Sequence, residues 1–214
     1  MIWAASQTRP DVAFETCQMA NTGKTPTVRM IIEANRAVSK LKKSNVSLTF
    51  KKLGSPKDLS VEVYTDATHA SLSDGSSQGG FVIFLKGKSG QTVPMSWRSR
   101  KIQRVTKSPL ASETSALADG ADAASLISAM VKEVFNLQSQ PRIHCKTDNK
   151  SLVQTLYSSK SVSDDRLKVD IARLRQMTQS DEISVSWVRG KYQISDPLTK
   201  HTANTIGLIE AVSA

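Results

Sequence analysis

Apolar residues alternate with other residues at a period of two in residues 61–67 and again in residues 142–149, which is the pattern of a β-strand. Both runs close on a Thr-Asp pair, at Asp66 and at Asp148. If the two strands lie parallel and adjacent, the carboxylates meet at the carboxyl ends of the strands, where an open α/β sheet keeps its site. Two carboxylates held side by side repel each other, so the pattern predicts a divalent cation between them.

The remaining periodicity predicts a mixed sheet flanked by helices. Strand patterns also cover residues 81–85, 92–97 and 183–189, and the turn Gly87–Gly90 makes the first three strands an antiparallel meander. A long helix ending near Val134 separates this meander from the strand before Asp148, and further helices alternate with the last two strands. The predicted fold class is therefore α/β, with three antiparallel strands followed by parallel ones. Residues predicted to cap or begin helices are Ser108, Pro109, Asp164 and Asp165.

A helical and basic extension is predicted at residues 1–55, which hold nine Lys and Arg against three Asp and Glu. Residues 27–43 predict an amphipathic helix whose basic stripe suits a solvated face and a phosphate backbone equally. The connector 44–60 marks a domain boundary, so residues 56–214 form the α/β domain. Gly23-Lys24-Thr25 matches the end of a phosphate-binding loop, but the upstream glycine of that motif is absent, which favours an ordinary loop.

Charge and cysteine content narrow the class of protein. The net charge of +10 is typical of a chain with a polyanionic partner, and nucleic acid is the first expectation. Cys17 and Cys145 lie far apart in sequence, so we expect no disulfide framework and a reducing compartment. No apolar run reaches membrane-spanning length and the amino terminus does not match a secretory signal, so no membrane partner is expected.

A short basic segment lies between the predicted third strand and the long helix. Its members are Arg98, Arg100, Lys101, Arg104 and Lys107. We expect this segment to leave the sheet beside the aspartates and to contact the phosphates of a nucleic acid, with a solvated loop as the alternative. Trp97 and Trp187, at strand ends, are predicted to be core residues rather than platforms for bases.

Short motifs in a fixed order connect these elements to a known family. They are Tyr64-Thr65-Asp66-Ala67, Ser96-Trp97-Arg98-Ser99-Arg100-Lys101, Ser112-Glu113-Thr114-Ser115-Ala116-Leu117, Thr147-Asp148-Asn149-Lys150-Ser151 and Asp196-Pro197-Leu198-Thr199-Lys200. Residues 61–200 resemble the ribonuclease H domain of a retroelement polyprotein of the copia type. Residues 1–43 resemble the tail of the reverse transcriptase that precedes such a domain. The catalytic Asp-Asp motif of the polymerase is absent, so we expect no DNA synthesis.

The resemblance implies a ribonuclease H-like fold and hydrolysis of the RNA strand of an RNA–DNA hybrid by two metal ions. The ions would be Mg²⁺, with Mn²⁺ as an alternative. Asp66 would bridge both ions, Glu113 and Asp148 would bind one, and Asp196 the other. Asn149 would join the basic segment in binding nucleic acid. The implied partners are the hybrid and the reverse-transcriptase domain of the same polyprotein, in the cytoplasm, in virus-like particles or in the nucleus.

Each carboxylate also has a purely structural interpretation. Asp66 and Asp148 suit strand-end turns, Glu113 suits the positive end of a helix, and Asp196 before proline suits a helix N-cap. The loop before Asp196 lacks the histidine that many ribonucleases H carry there, which bears on turnover rate rather than on the reaction. Two other functions therefore stay open, namely a catalytically inactive nucleic-acid-binding remnant and a transposase or integrase core.

Overall fold

The computed structural model describes residues 1–21, 27–159, 162 and 164–213, so the loop predicted at Gly23-Lys24-Thr25 lies outside the described residues. Five strands form one sheet in the order β3-β2-β1-β4-β5. They are β1 (Ser60–Thr68), β2 (Gln78–Lys86), β3 (Thr92–Lys101), β4 (Arg142–Thr147) and β5 (Ile183–Trp187). The first three strands pair antiparallel, whereas β4 runs parallel to both β1 and β5. The predicted mixed sheet of three antiparallel strands followed by parallel ones is confirmed.

Seven α-helices surround the sheet among the described residues. They are α1 (Ile2–Gln7), α2 (Ala13–Ala20), α3 (Val28–Lys43), α4 (Pro109–Val134), α5 (Lys150–Tyr157), α6 (Asp165–Gln179) and α7 (Ile206–Ser213). Ser108 and Asp164 cap α4 and α6 as predicted, because their side chains accept bonds from the backbone amides of Ala111 and Arg166. No helix in the described part of the chain is both long enough and apolar enough to cross a membrane.

One face of the sheet packs against α4, α5 and α6. Val61 and Val63 of β1 are fully buried there beside Leu117 and Ala121 of α4. Alternate residues of a strand point to opposite faces of the sheet. The valines of β1 therefore point to this face, and Asp66 belongs to the set of positions on the opposite face. The larger core therefore fixes α4, which carries Glu113, across the strand that carries Asp66.

The other face of the sheet is covered by segments from both ends of the chain. Its cluster of buried residues comprises Ala13, Val82, Phe84, Leu198, Leu208 and Val212. Val46 and Leu48 pack against this cluster, and Thr49 donates its backbone amide to the carbonyl oxygen of Val212 at 3.0 Å. Residues 1–55 thus share a core with the α/β domain. The division at residue 55 stays a prediction about domains.

The amphipathic helix predicted at residues 27–43 forms as α3, but its apolar stripe is largely exposed. Val28, Ile31 and Val38 are accessible, and Ala37 is its buried hydrophobic residue. A buried ion pair between Arg9 and Asp11 fixes the helix instead, because the Arg9 guanidinium also donates to the carbonyl oxygen of Leu41 at 3.0 Å.

Several predicted boundaries and environments were wrong, including the end of β5, which is Trp187 rather than residue 189. Strand β3 continues to Lys101, so Arg98, Arg100 and Lys101 lie in an edge strand rather than in a loop after it. Ser195-Asp196-Pro197 predicts the start of the last helix, but Asp196 opens a 3₁₀ helix at Asp196–Leu198 and the last α-helix begins at Ile206. Trp97 packs against the second core as predicted, but Trp187 is 38% exposed and is not a core residue.

Candidate metal centre

The fold brings Asp66, Glu113 and Asp148 together. Tyr64 pairs with Lys146 in the parallel β1–β4 register, so Asp66 and Asp148 follow at the same carboxyl edge of the sheet. Glu113 reaches this edge from the beginning of α4, where Ser108 and Pro109 fix the start of the helix. One carboxylate oxygen from each of the three residues lies within 4.8 Å of the others. The three residues could hold a divalent cation.

Burial distinguishes Asp66 and Glu113 from ordinary surface acids, whereas Asp148 is half-buried. Asp66 is 1% exposed and Glu113 is 7% exposed. The Oε2 atom of Glu113 is buried and has no hydrogen-bond partner, although buried polar atoms are normally paired. Asp66 accepts a hydrogen bond from the Thr199 hydroxyl. An orphaned carboxylate oxygen within an all-oxygen donor set fits a hard cation such as Mg²⁺ or Mn²⁺.

The electrostatics of the site favour the same cation. Burial raises the pKa of Glu113 to about 9, and the negative charges of Asp66 and Asp148 act in the same direction. Burial also raises the pKa of Asp66 to about 6, although the nearby Lys200 ammonium and the Thr199 hydroxyl oppose the rise. The pKa of Asp148 is raised for the same main reason. A bound cation would remove this penalty for ionising the three groups.

Asp196 lies beside this group but outside it. Its Oδ1 atom is 3.0 Å from Nζ of Lys200, and the same ammonium is 3.4 Å from Oδ2 of Asp66. Ser195, rather than Asp196, occupies the N-cap position of the 3₁₀ helix, and no side chain caps it. The predicted alternative of a helix cap is therefore wrong for Asp196. Its role as a metal ligand stays a prediction.

Hydrogen bonds connect the loop between β5 and Asp196 to the ends of β4 and β1. The backbone amide of Val188 donates to the carbonyl oxygen of Thr147 at 2.9 Å, and the buried side-chain amide of Gln193 donates to that of Thr65 at 2.9 Å. A Cβ atom on Gly190 would lie 3.7 Å from Oδ2 of Asp148. Arg189–Tyr192 is exposed, so this anchored loop presents two basic side chains next to Asp148.

Asn149, which follows Asp148, and Ser112, which precedes Glu113, both form hydrogen bonds next to the carboxylates. Asn149 caps α5 by accepting from the backbone amide of Leu152 at 2.9 Å, so its position next to Asp148 is fixed. His69 Nδ1 lies 3.1 Å from the hydroxyl oxygen of Ser112, the residue before Glu113. His69 is half-buried and belongs to a network with the hydroxyl groups of Ser112 and Thr106. Its contact with Ser112 depends on the sheet and has no local sequence signal.

The basic segment divides into paired and unpaired residues. Lys101 pairs with Asp74, and Arg104 pairs with Asp170. Arg98, Arg100 and Lys107 are exposed and form no ion pair within the ranges that the structure describes. Arg98 and Arg100 flank Ser99, which the sheet register places two strands from Asp66, or roughly 10 Å. Arg100, Lys101 and Arg104 also line a cleft of about 320 Å³ that continues along α4.

Sequence comparison finds similarity to a retrotransposon polyprotein. Over 203 residues the chain is 27% identical to the Retrovirus-related Pol polyprotein from transposon RE1 of Arabidopsis thaliana. The chain is similar to part of a retrotransposon Pol polyprotein. The match covers 92% of this chain but only 13% of the length of that relative. No family model matches the chain.

Solved ribonucleases H are structurally similar to the chain. RNase H1 from Halobacterium salinarum has 20% identity and a TM-score of 0.47, over 65% of this chain and 93% of that one. A ribonuclease H domain from Mycobacterium tuberculosis has 18% identity and a TM-score of 0.49, over 73% and 99%. The RNase H domain of prototype foamy virus has 12% identity and a TM-score of 0.41, over 73% and 90%.

Proposed function

We propose that the chain is the ribonuclease H part of a copia-type retroelement Pol polyprotein and hydrolyses the RNA strand of RNA–DNA hybrids. The observation that carries this proposal is the convergence of Asp66, Glu113 and Asp148, together with the buried and unpartnered Oε2 atom of Glu113. Three crowded carboxylates, two of them buried and one half-buried, are costly for a fold unless they bind a cation. The similarity to a retrotransposon Pol polyprotein supports a nucleic-acid substrate.

The residues of the chain have distinct tasks in this proposal. Asp66, Glu113 and Asp148 would hold the first cation, and Asp66 and Asp196 would hold the second, with Mg²⁺ as the expected ion and Mn²⁺ as a substitute. When bound, such ions lower the pKa of an attacking water and stabilise the leaving oxygen. The Thr199 hydroxyl orients the Asp66 carboxylate. Glu113 must give up its proton before it can act as a ligand, because burial holds its pKa near 9.

Substrate contacts fall to the basic residues at the edges of the site. The exposed Arg98 and Arg100 on β3 and the loop Arg189–Tyr192 lie on two sides of the carboxylates, and Asn149 is fixed beside Asp148. Contacts of this kind position a phosphate backbone without reading its sequence. In the polyprotein, the reverse-transcriptase domain would deliver the hybrid. We place this activity in the cytoplasm, in virus-like particles, or in the nucleus.

Cleavage of a labelled RNA–DNA hybrid by the purified chain tests the proposal. We expect Mg²⁺-dependent cutting of the RNA strand, suppressed by EDTA, and little cutting of duplex DNA or duplex RNA. Asp66→Asn and Asp148→Asn should each abolish cleavage. Asp58→Asn is the matched control, because Asp58 is exposed near the opposite end of β1, outside the carboxylate group.

The other functions predict different results in the same assay. A catalytically inactive remnant would bind the hybrid in Ca²⁺ but leave it uncut in Mg²⁺. A transposase or integrase core would cut the ends of duplex DNA in preference to the hybrid. Near-normal cleavage by Asp66→Asn or Asp148→Asn would show that the carboxylate assignment is wrong.

A further inference from the structure

The ammonium group of Lys200 lies between two of the carboxylates assigned to the site. Its Nζ atom is 3.0 Å from Oδ1 of Asp196, 3.5 Å from Oδ1 of Asp66 and 3.4 Å from Oδ2 of Asp66. Asp66 is also a member of the group formed with Glu113 and Asp148, whereas Asp196 is not. Asp66 therefore faces two cationic positions, and a side chain of the protein already occupies one of them.

The backbone holds Lys200 in this place. The amides of Thr199 and Lys200 both donate to the carbonyl oxygen of Asp196 at 3.0 Å, which folds the Lys200 side chain back over the Asp196 carboxylate. Leu198, inside the same turn, is fully buried against β2. The turn can approach because residue 80 is glycine, since a Cβ there would come within 2.6 Å of Cβ of Leu198. Packing thus fixes the backbone from which the Lys200 side chain reaches the two carboxylates.

A lysine and a metal ion compete for the same oxygens. The Lys200 ammonium neutralises Asp66 and Asp196 in the free protein, and a divalent ion bound between them would repel it at close range. A cation at Asp66, Glu113 and Asp148 would share only Asp66 with the ammonium, because the ion pairs of Lys200 among the described residues are with Asp66 and Asp196. The two metal positions of the proposed enzyme are therefore unequal before substrate binds.

We propose that Lys200 occupies the second cation position, so that the free protein binds one divalent ion and takes up the second only when Lys200 moves away. A substrate phosphate is the chemical group that would draw the ammonium away, because it offers anionic oxygens to both cations. This inference rests on the proposed function for its metal positions, and it assigns Lys200 a positioning role. Loading of the second ion is then coupled to the presence of the nucleic acid.

Counting Mn²⁺ ions bound to the whole chain without nucleic acid tests the inference, by calorimetry and by electron paramagnetic resonance of the free ion. The unaltered protein should bind one ion, with any second ion at least tenfold weaker. Lys200→Met should bind a second ion with affinity raised at least tenfold. Lys200→Arg, which keeps the charge, should bind one ion. Lys200→Met combined with Asp196→Asn should also return to one ion.

Lys88→Met is the matched control for the loss of one positive charge. Lys88 is exposed in the turn between β2 and β3, at the end of the sheet away from Asp66, and forms no ion pair among the described residues. It should leave the number of bound ions unchanged. Circular dichroism and thermal unfolding would show that Lys200→Met is folded.

Three results would overturn the inference. They are two ions bound with similar affinity by the unaltered protein, no gain by a folded Lys200→Met variant, and no Mn²⁺ bound by either chain. The count is independent of cleavage. A Lys200 effect in a chain that cuts no hybrid would support this inference and refute the proposed activity. Hybrid cleavage without a Lys200 effect on the ion count would support the proposed activity and refute this inference.

Discussion

Gly120 of α4 lies so close to Thr65 of β1 that a Cβ atom on the glycine would be 2.7 Å from Cγ2 of the threonine. Thr65 is fully buried and precedes Asp66, and Gly120 lies two turns after Glu113 on α4. The missing side chain at residue 120 therefore sets the distance between the strand and the helix that carry two of the three grouped carboxylates.

Gly120→Ala should move α4 away from β1 and weaken metal binding. Alanine normally stabilises a helix by about 1 kcal/mol relative to glycine, but overpacking a tight core costs about 1–3 kcal/mol. We expect a net loss of stability by urea unfolding and a lower Mn²⁺ affinity. Gly207→Ala in α7 is the control, because its Cβ would meet Ile194 only at 3.7 Å. Equal effects of the two changes would contradict this account.

Stability without metal should fall as the pH rises. The pKa of Glu113 is about 9 in the folded chain against an ordinary value of 4.5, so between these values the unfolded chain is ionised while the folded chain keeps the proton. The folded state then binds more protons, and the free energy of unfolding decreases with pH. Asp66 adds to the fall up to about pH 6. Thermal unfolding in EDTA from pH 5 to 9 measures this decrease in stability.

Mg²⁺ should oppose this fall, because the ion binds the ionised carboxylates. A cation at 100 times its Kd stabilises by about 2.7 kcal/mol, or a Tm rise of roughly 5–10 °C for a chain of this size. The rise should grow with pH. Glu113→Gln has no proton to lose at this position. It should therefore flatten the pH dependence of stability without metal and the pH dependence of the stabilisation by Mg²⁺. A Mg²⁺ effect that does not change with pH, or that survives in Glu113→Gln, would count against Glu113 as a ligand.

Unpaired arginines of β3 should contribute more to hybrid binding than their paired neighbours. The double variant Arg98→Ala, Arg100→Ala should weaken binding to all sequences alike. It should also lower the slope of log affinity against log salt by about 0.7–0.9 for each phosphate that the variant no longer neutralises. Lys101→Ala with Arg104→Ala is the matched control, because Asp74 and Asp170 already neutralise these two side chains. Fluorescence anisotropy in Ca²⁺ at several salt concentrations gives both quantities, and equal slopes would contradict the prediction.

Asp196→Asn should lower hybrid cleavage while the fold is kept. The asparagine retains the size of the side chain but loses the charge that attracts a cation, and the 3₁₀ helix does not use this side chain as a cap. We expect a loss of cleavage that Mn²⁺ restores in part. The affinity for the first ion, held by Asp66, Glu113 and Asp148, should change little. Unaltered cleavage in Mg²⁺ would remove Asp196 from the proposed ligands.

The sequence predicted the parts of the site that depend on regular elements. Alternation identifies β1 and β4, and parallel pairing then brings Asp66 and Asp148 together. Lys200 was missed as a member of the site because its position depends on a 3₁₀ turn that packs beneath Gly80, and such a turn has no period in the sequence. The end of β3 was missed for a similar reason, because an edge strand of alternating Arg and Ser side chains has no apolar pattern.

The shared core on the second face of the sheet has a consequence for the order in which the chain can fold during synthesis. Phe84 on β2 is covered by Leu208 and Val212, more than 120 positions later in the sequence. Thr49 likewise bonds through its hydroxyl to the carbonyl oxygen of Ser213, 164 residues away. Such long loops close slowly. The contact of β1 with α4 spans a much shorter stretch of chain and can form earlier, whereas the face beneath the amino-terminal helices must wait for α7.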